Sequence, residues 1–153
     1  MRVSTKGRYC LRIMVYLAEN YIVGYKSVKD IAKEEDLSLK YVERLMQILS
    51  KSKLVISEHG PNGGYKLAIS PSECSVAMVI KAAETQESIA PCCDANNTCP
   101  RYDRCATAEV WQLVQTSIDE LLENITLIDL LKSLENKRGE KSLYLSYLNA
   151  LKQ

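Results

Sequence analysis

Histidine is almost missing from this chain: His59 is the only one, so no buried Cys–His pair or Ser–His–Asp constellation is available for nucleophilic catalysis. No glycine loop of phosphate-cradling type and no paired-carboxylate site occurs either, which leaves little basis for an enzyme. No uninterrupted run of about 18 apolar residues is present, which argues against a membrane-spanning helix. The opening stretch MRVSTKGRYCLRIMVYLAEN is charged and helically patterned, without a continuous apolar core or a small-residue cleavage site after it. That pattern argues against a signal peptide and predicts a cytoplasmic protein. Internal repeats and low-complexity tracts are also missing.

What is present is an uneven charge distribution. Residues 1–70 carry 12 Lys or Arg against 7 Asp or Glu, and residues 71–153 carry 8 against 12, so a front half of +5 precedes a rear half of −4. A basic front suits contact with a polyanion, although a split of this size alone is modest.

Apolar spacing then orders the chain. Leu11, Met14, Val15, Leu17 and Ala18 recur at helical intervals and predict one helix from Thr5 to about Val23. Ser27 with Asp30 forms a capping pattern at the head of a short helix that stops near Asp36-Leu37. Ser38 caps the next, in which Val42, Leu45, Met46 and Leu49 share one face. Two strand-like runs, Leu54–Ser57 and Tyr65–Ile69, flank the glycine- and proline-rich His59–Gly64 and predict a hairpin. Three helices followed by a hairpin give a mostly α fold with a small β-hairpin wing, the winged helix-turn-helix plan. Downstream come a short helix near 75–83, a cysteine-rich loop from Gln86 to Arg104, and a long helix from Cys105 to about Asn124. A further helix opens at Thr126, and a Leu- and Tyr-rich tail ends the sequence.

The second short helix is the candidate DNA reader. Its outer face offers Ser38, Lys40, Tyr41, Glu43 and Arg44, combining base-contacting polar groups with cations for phosphate. Glu43 is informative, because a carboxylate repels phosphate and is useful when it accepts from cytosine N4. The wing tip His59-Gly60-Pro61 is small enough to approach the minor groove, and Arg2, Lys6 and Arg8 are placed to hold the backbone. The plainer reading is a solvated helix pair with a surface hairpin.

Four of the six cysteines, Cys92, Cys93, Cys99 and Cys105, fall within fourteen residues. In a reducing compartment such crowding points to a metal or cluster before it points to disulfides. Soft thiolates select iron–sulfur clusters, zinc or copper(I). Structural zinc favours CxxC knuckles, which are absent, and wider spacing suits a labile cluster on an exposed loop. Cys10 and Cys74 read as small core residues.

MRVSTKGRY, the Ser38–Arg44 helix, GPNGGY in the wing, the three-cysteine loop and LLENITLIDLL together resemble the IscR, NsrR and CymR group of bacterial winged-helix regulators, over Met1 to about Leu134. The resemblance implies a homodimer joined by its long helices. It implies domains at 1–70 (DNA-binding), 71–104 (linking helix and cluster loop) and 105–153 (dimerisation helix and tail). It also implies a double-stranded, imperfectly palindromic operator, and control of genes such as those for cluster assembly. An iron–sulfur cluster, [2Fe–2S] favoured over [4Fe–4S], would be held by Cys93, Cys99 and Cys105, with Cys92 a rival for Cys93. The alternative is a thiol- or zinc-based redox regulator. Departures exist: Ala108 stands where IscR-like members place a histidine ligand, and Arg8 where some NsrR-like members place an aspartate. His59 replaces a common wing arginine. The fourth ligand is left among Glu109, Asp103, Cys92, water or a small thiol. CymR-like members lack the cysteine loop.

Overall fold

The computed structural model describes residues 3–84, 88–94, 99–139 and 149–150; Arg2 and most of the Leu- and Tyr-rich tail lie outside the described residues. The elements are α1 (Thr5–Glu19), α2 (Val28–Glu35), α3 (Leu39–Lys51), β1 (Val55–Glu58), β2 (Gly64–Leu67), α4 (Val76–Ala83), α5 (Ala108–Asn124) and α6 (Leu127–Arg138). Single 3-10 turns occur at Pro91–Cys93 and Tyr102–Arg104. The architecture is the expected winged helix-turn-helix followed by a long helix.

α1 is the spine of the core. Cys10, Ile13, Met14, Leu17 and Ala18 are all buried and follow the spacing that puts one face of a helix inward. The helix ends at Glu19, a turn earlier than its apolar pattern suggests. The Asn20 side-chain amide donates back to the Tyr16 carbonyl at 2.9 Å, and Ile22 and Val23 emerge into solvent. Pattern length overshot because these two residues continue the composition without continuing the buried face.

The helix-turn-helix is built by caps. Ser27 and Asp30 make a reciprocal capping box at the start of α2. Asp36 then takes the left-handed conformation (φ 53°), which a short polar side chain tolerates, while the Leu37 N–H closes on the Ala32 carbonyl at 2.9 Å. Ser38 accepts from the Tyr41 N–H at 3.3 Å and opens α3. Val42, Leu45, Met46 and Leu49 of α3 are completely buried against α1.

The wing pairs Val55 with Leu67 and Glu58 with Gly64. A third segment joins its edge, as Tyr65 and Lys26 exchange backbone hydrogen bonds of 2.8 and 2.9 Å. Gly64 permits this: its φ is +152°, and a Cβ there would lie 2.3 Å from the Lys26 carbonyl oxygen.

α6 packs into this same core. Its Leu127 and Leu131 are fully buried with the side chains of α1, each contributing about 2 kcal/mol by burial. The Val76 N–H donates to the Ile125 carbonyl (2.8 Å) and the Leu127 N–H to the Cys74 carbonyl (3.0 Å), which ties the start of α6 to the start of α4. Sequence position groups α6 with α5; packing groups it with the winged helix. α5 is different in kind. Only Ala108 and Gln115 are buried along it, and Val110, Trp111, Leu113, Val114 and Leu121 are exposed.

Candidate nucleic-acid interface and cysteine site

The N-terminal half of α3 presents Ser38, Lys40, Glu43 and Arg44 to solvent while Val42 and Leu45 between them are buried. This alternation fixes the outward direction of the polar residues without spending any of them on the core. Ser38 already accepts a backbone hydrogen bond as N-cap, which leaves its hydroxyl proton for an outside partner. Tyr41 is half-buried, its ring edge-on to Tyr9 with centroids 6.0 Å apart. The Arg12 guanidinium lies 5.2 Å from the centre of the Tyr9 ring, and Arg12 Nε is 2.6 Å from Glu35 Oε2. A chain of contacts therefore runs from α3 through α1 to α2 and sets the pose of the outward face. Burial pushes the Glu35 carboxyl above the ordinary carboxylate range, with Arg12 opposing that rise.

His59, Gly60 and Pro61 are exposed at the wing tip, where the Gly63 N–H closes a turn on the Gly60 carbonyl at 3.0 Å. Lys66 on β2 stands over the Tyr25 ring at 4.6 Å, a cation beside the wing that local pattern does not single out. On α1, Arg8 is exposed and donates to Thr5 Oγ1 at 3.3 Å, and Lys6 is half-buried.

The six thiols separate into two groups. Cys10 and Cys74 are fully buried, and desolvation pushes both thiols up to about 11, so neither supplies a thiolate. Cys93, Cys99 and Cys105 are partly exposed on the segment leading into α5, and Cys92 is buried in the turn Pro91–Cys93.

α5 pins both legs of that segment with two glutamines one turn apart. Buried Gln115 accepts from the Ile89 N–H at 2.8 Å, and Gln112 donates to the Tyr102 hydroxyl at 2.7 Å. Neither has a signature in sequence, because each partner is an irregular backbone or ring position 10 or 26 residues away.

Cys105 sits at the head of α5. Its sulfur is 3.2 Å from the Thr107 hydroxyl, which is therefore not used to cap the helix. That hydroxyl first, then the backbone N–H groups of Thr107 and Ala108, and then the charge of Arg101, hold the Cys105 thiol below its ordinary value. An open concavity of about 530 Å³ beside it is lined by Arg101 and Arg104. For Cys93, burial and then hydrogen bonding with the neighbouring Cys92 thiol push the other way.

A consequence can be checked by alkylation of metal-free protein. Because its folded-state value is lowered, Cys105 carries more thiolate at any given pH than an ordinary thiol does. Iodoacetamide should modify it first, with Cys10 and Cys74 untouched until the chain unfolds. Peptide mass spectrometry showing equal rates for the three would refute this.

Among the described residues, no three Cys, His, Asp or Glu side chains converge closely enough to hold a metal ion. The donor set fits a soft metal centre by its chemistry, three accessible thiols on one segment with one activated, and residues 95–98 between Cys93 and Cys99 lie outside the description. Also among the described residues, no helix is long and apolar enough to cross a membrane.

Comparison with known proteins follows the same outline. The family profile named Rrf2, an iron-dependent transcriptional regulator, matches residues 3–133. The HTH-type transcriptional regulator IscR of Pectobacterium carotovorum subsp. carotovorum is 38% identical over 136 residues, which cover 88% of this chain and 82% of that protein. Among solved structures, IscR of T. potens superposes with a TM-score of 0.74 at 36% identity, covering 90% of each chain. CymR, the global cysteine regulator of B. subtilis, superposes at 0.70 with 33% identity, covering 85% of this chain and 95% of that one.

Proposed function

This chain belongs to the Rrf2 family and is a DNA-binding transcriptional regulator of the Rrf2/IscR type, and from that premise we propose that it senses through an iron–sulfur cluster. It acts as a repressor or dual regulator of genes such as those for cluster assembly. It works in the cytoplasm as a homodimer on an imperfectly palindromic operator. The observation that carries the reading is the division of the thiols: two locked in the core, the rest gathered on one segment that α5 holds by Gln112 and Gln115.

Cys93, Cys99 and Cys105 are the residues to hold the cluster, with Cys92 as rival to Cys93, and [2Fe–2S] is favoured over [4Fe–4S]. A fourth ligand comes from Glu109, Asp103, Cys92, water or a small thiol. When bound, such a cluster supplies a centre that oxidants or nitric oxide alter at low cost. The protein's own part is to ease the deprotonation of one thiol, at Cys105, and to hold the segment against α5 so that its state is felt by the dimer.

The DNA contacts fall to Ser38, Lys40, Tyr41, Glu43 and Arg44 on α3, to His59, Gly60 and Pro61 on the wing, and to Arg2, Lys6 and Arg8 around the start of α1. Residues 1–70 form the DNA-binding domain, 71–104 the linking helix and cluster loop, and 105–153 the dimerisation helix, the C-terminal helix α6 that packs back into the winged-helix core, and the tail. The exposed apolar residues of α5 supply the dimer seam.

A second reading, a thiol- or zinc-based regulator without a cluster, draws support from the similarity to CymR and from the activated Cys105 thiol. Protein purified without oxygen decides between them. The cluster reading expects bound iron with acid-labile sulfide and visible absorbance, and expects Cys99→Ala or Cys105→Ala to bleach the protein while leaving it dimeric. Colourless native protein, free of iron and sulfide, would transfer the case to the second reading.

A further inference from the structure

A carboxylate at the end of α4 ties that helix to the start of α1. Glu84 closes α4, four residues before Ser88 of the cysteine-bearing segment. Its Oε1 accepts from both the Ser4 N–H (3.1 Å) and the Ser4 hydroxyl (2.7 Å). The Ser4 oxygen in turn accepts from the Gly7 N–H at 3.0 Å, so the carboxylate reaches the first turn of α1 through the cap residue. α1 has no acidic residue of its own in that turn, and a negative charge at this end complements the helix dipole.

Space at this junction is reserved for that oxygen. A Cβ on Gly7 would lie 2.3 Å from Glu84 Oε1 and 3.2 Å from Val3 Cγ1. Eighty residues apart in sequence, Ser4 and Glu84 meet because α4 packs along α1. Lys81, one turn before Glu84, pairs with Glu123 of α5 at 3.2 Å, so α4 is held to the long helix at one point and to the start of α1 at another. The α1 end that Glu84 grips is the one carrying Lys6 and Arg8.

We propose that Glu84 is a positioning residue that couples the state of the cysteine segment to the DNA-contacting start of α1, a role that rests on reading that segment as the sensor. With the latch closed, as here, Ser4 and the first turn of α1 are held in register with α4. A rearrangement of the segment that draws Glu84 away removes two hydrogen bonds and a complementary charge from that turn together. Lys6 and Arg8 then lose the fixed pose from which they meet phosphate, and operator affinity follows the state of the cysteines.

Three variants test this in the full-length protein. Glu84→Ala removes the carboxylate. Gly7→Ala leaves Glu84 in the chain but evicts its side chain from the latch, and it does so while adding a better helix former. Glu84→Gln keeps an oxygen able to accept both bonds. Operator affinity is measured by anisotropy for anaerobic cluster-loaded and metal-free forms, with iron, sulfide and melting temperature recorded for each variant. In the unsubstituted protein the two forms should differ by about tenfold, an ordinary size for coupling between sites. The ratio should fall to within about twofold of one in Glu84→Ala and Gly7→Ala, with cluster content unchanged, and should be largely kept by Glu84→Gln. A ratio unaltered in both alanine variants overturns the proposal, as does a loaded unsubstituted protein whose ratio is already one. If the native protein proves to contain no iron or sulfide, the sensor reading fails separately, and amide exchange at residues 4–8 decides the latch. Faster exchange in Glu84→Ala supports the grip, and unchanged exchange refutes it.

Discussion

Leu121→Asp should yield a folded monomer whose operator affinity is lower by about 10²–10⁴-fold. Leu121 is 60% exposed in the single chain, alongside Leu113 at 69% and Val110 at 55%, so the substitution removes nothing from the chain's own core. The cost appears on association. In the proposed homodimer, two-fold symmetry would place the same substitution in the seam from both subunits, so each dimer would bury two unpaired carboxylates at several kcal/mol apiece. α5 already carries Glu109, Asp119, Glu120 and Glu123 and no cation, so no partner for the new charge exists on the same helix. Loss of operator affinity then follows from loss of bivalency, because two tethered readers gain a factor of that order over one. Sedimentation velocity and circular dichroism check both halves of the claim. A dimer that survives would show that α5 is not the seam.

The winged helix was legible because its determinants are local. Caps at Ser27 and Ser38 and the buried stripes of α1 and α3 are written in residues at most a few positions apart. Two boundaries depart from the apolar pattern: α1 stops at Glu19 because Asn20 turns back onto Tyr16, which composition does not record. α5 begins at Ala108 and not at Cys105, because Cys105 takes extended backbone (φ −105°, ψ 104°) after the turn Tyr102–Arg104.

The rest depended on tertiary pairs. Nothing near Leu127 and Leu131 says that they join the core of the winged helix; that follows from the backbone bonds between Ile125 and Val76 and between Leu127 and Cys74. Gln112, Gln115 and Glu84 look like solvated polar residues until their partners arrive from the cysteine segment and from Ser4. The cysteines show both sides of this. Their crowding is visible in sequence, and so is the expectation that Cys10 and Cys74 are core residues. The activation of Cys105 needs the Thr107 hydroxyl and the head of α5 in place.

Lys40 and Glu43 should fail in opposite ways when truncated. Both are exposed on the N-terminal half of α3, and Val42 and Leu45 on the opposite face are fully buried, so alanine at 40 or 43 leaves the helix anchored. A lysine that meets phosphate contributes through counterion release, whatever the sequence beneath it. Lys40→Ala should weaken operator and random duplex alike, and should lower the slope of log affinity against log salt by about 0.9. A carboxylate near the phosphates is unfavourable on any DNA and is offset only where it accepts from a cytosine amino group. Glu43→Ala should therefore leave the salt slope near its original value and raise affinity for random duplex. It should relax discrimination at one base pair by about 1–3 kcal/mol, or roughly 5- to 150-fold. Titrations over a set of single-base operator variants at three salt concentrations separate these outcomes. Unchanged site preference in Glu43→Ala would remove its base contact, and a selective loss at one base pair in Lys40→Ala would move lysine from the backbone into the groove.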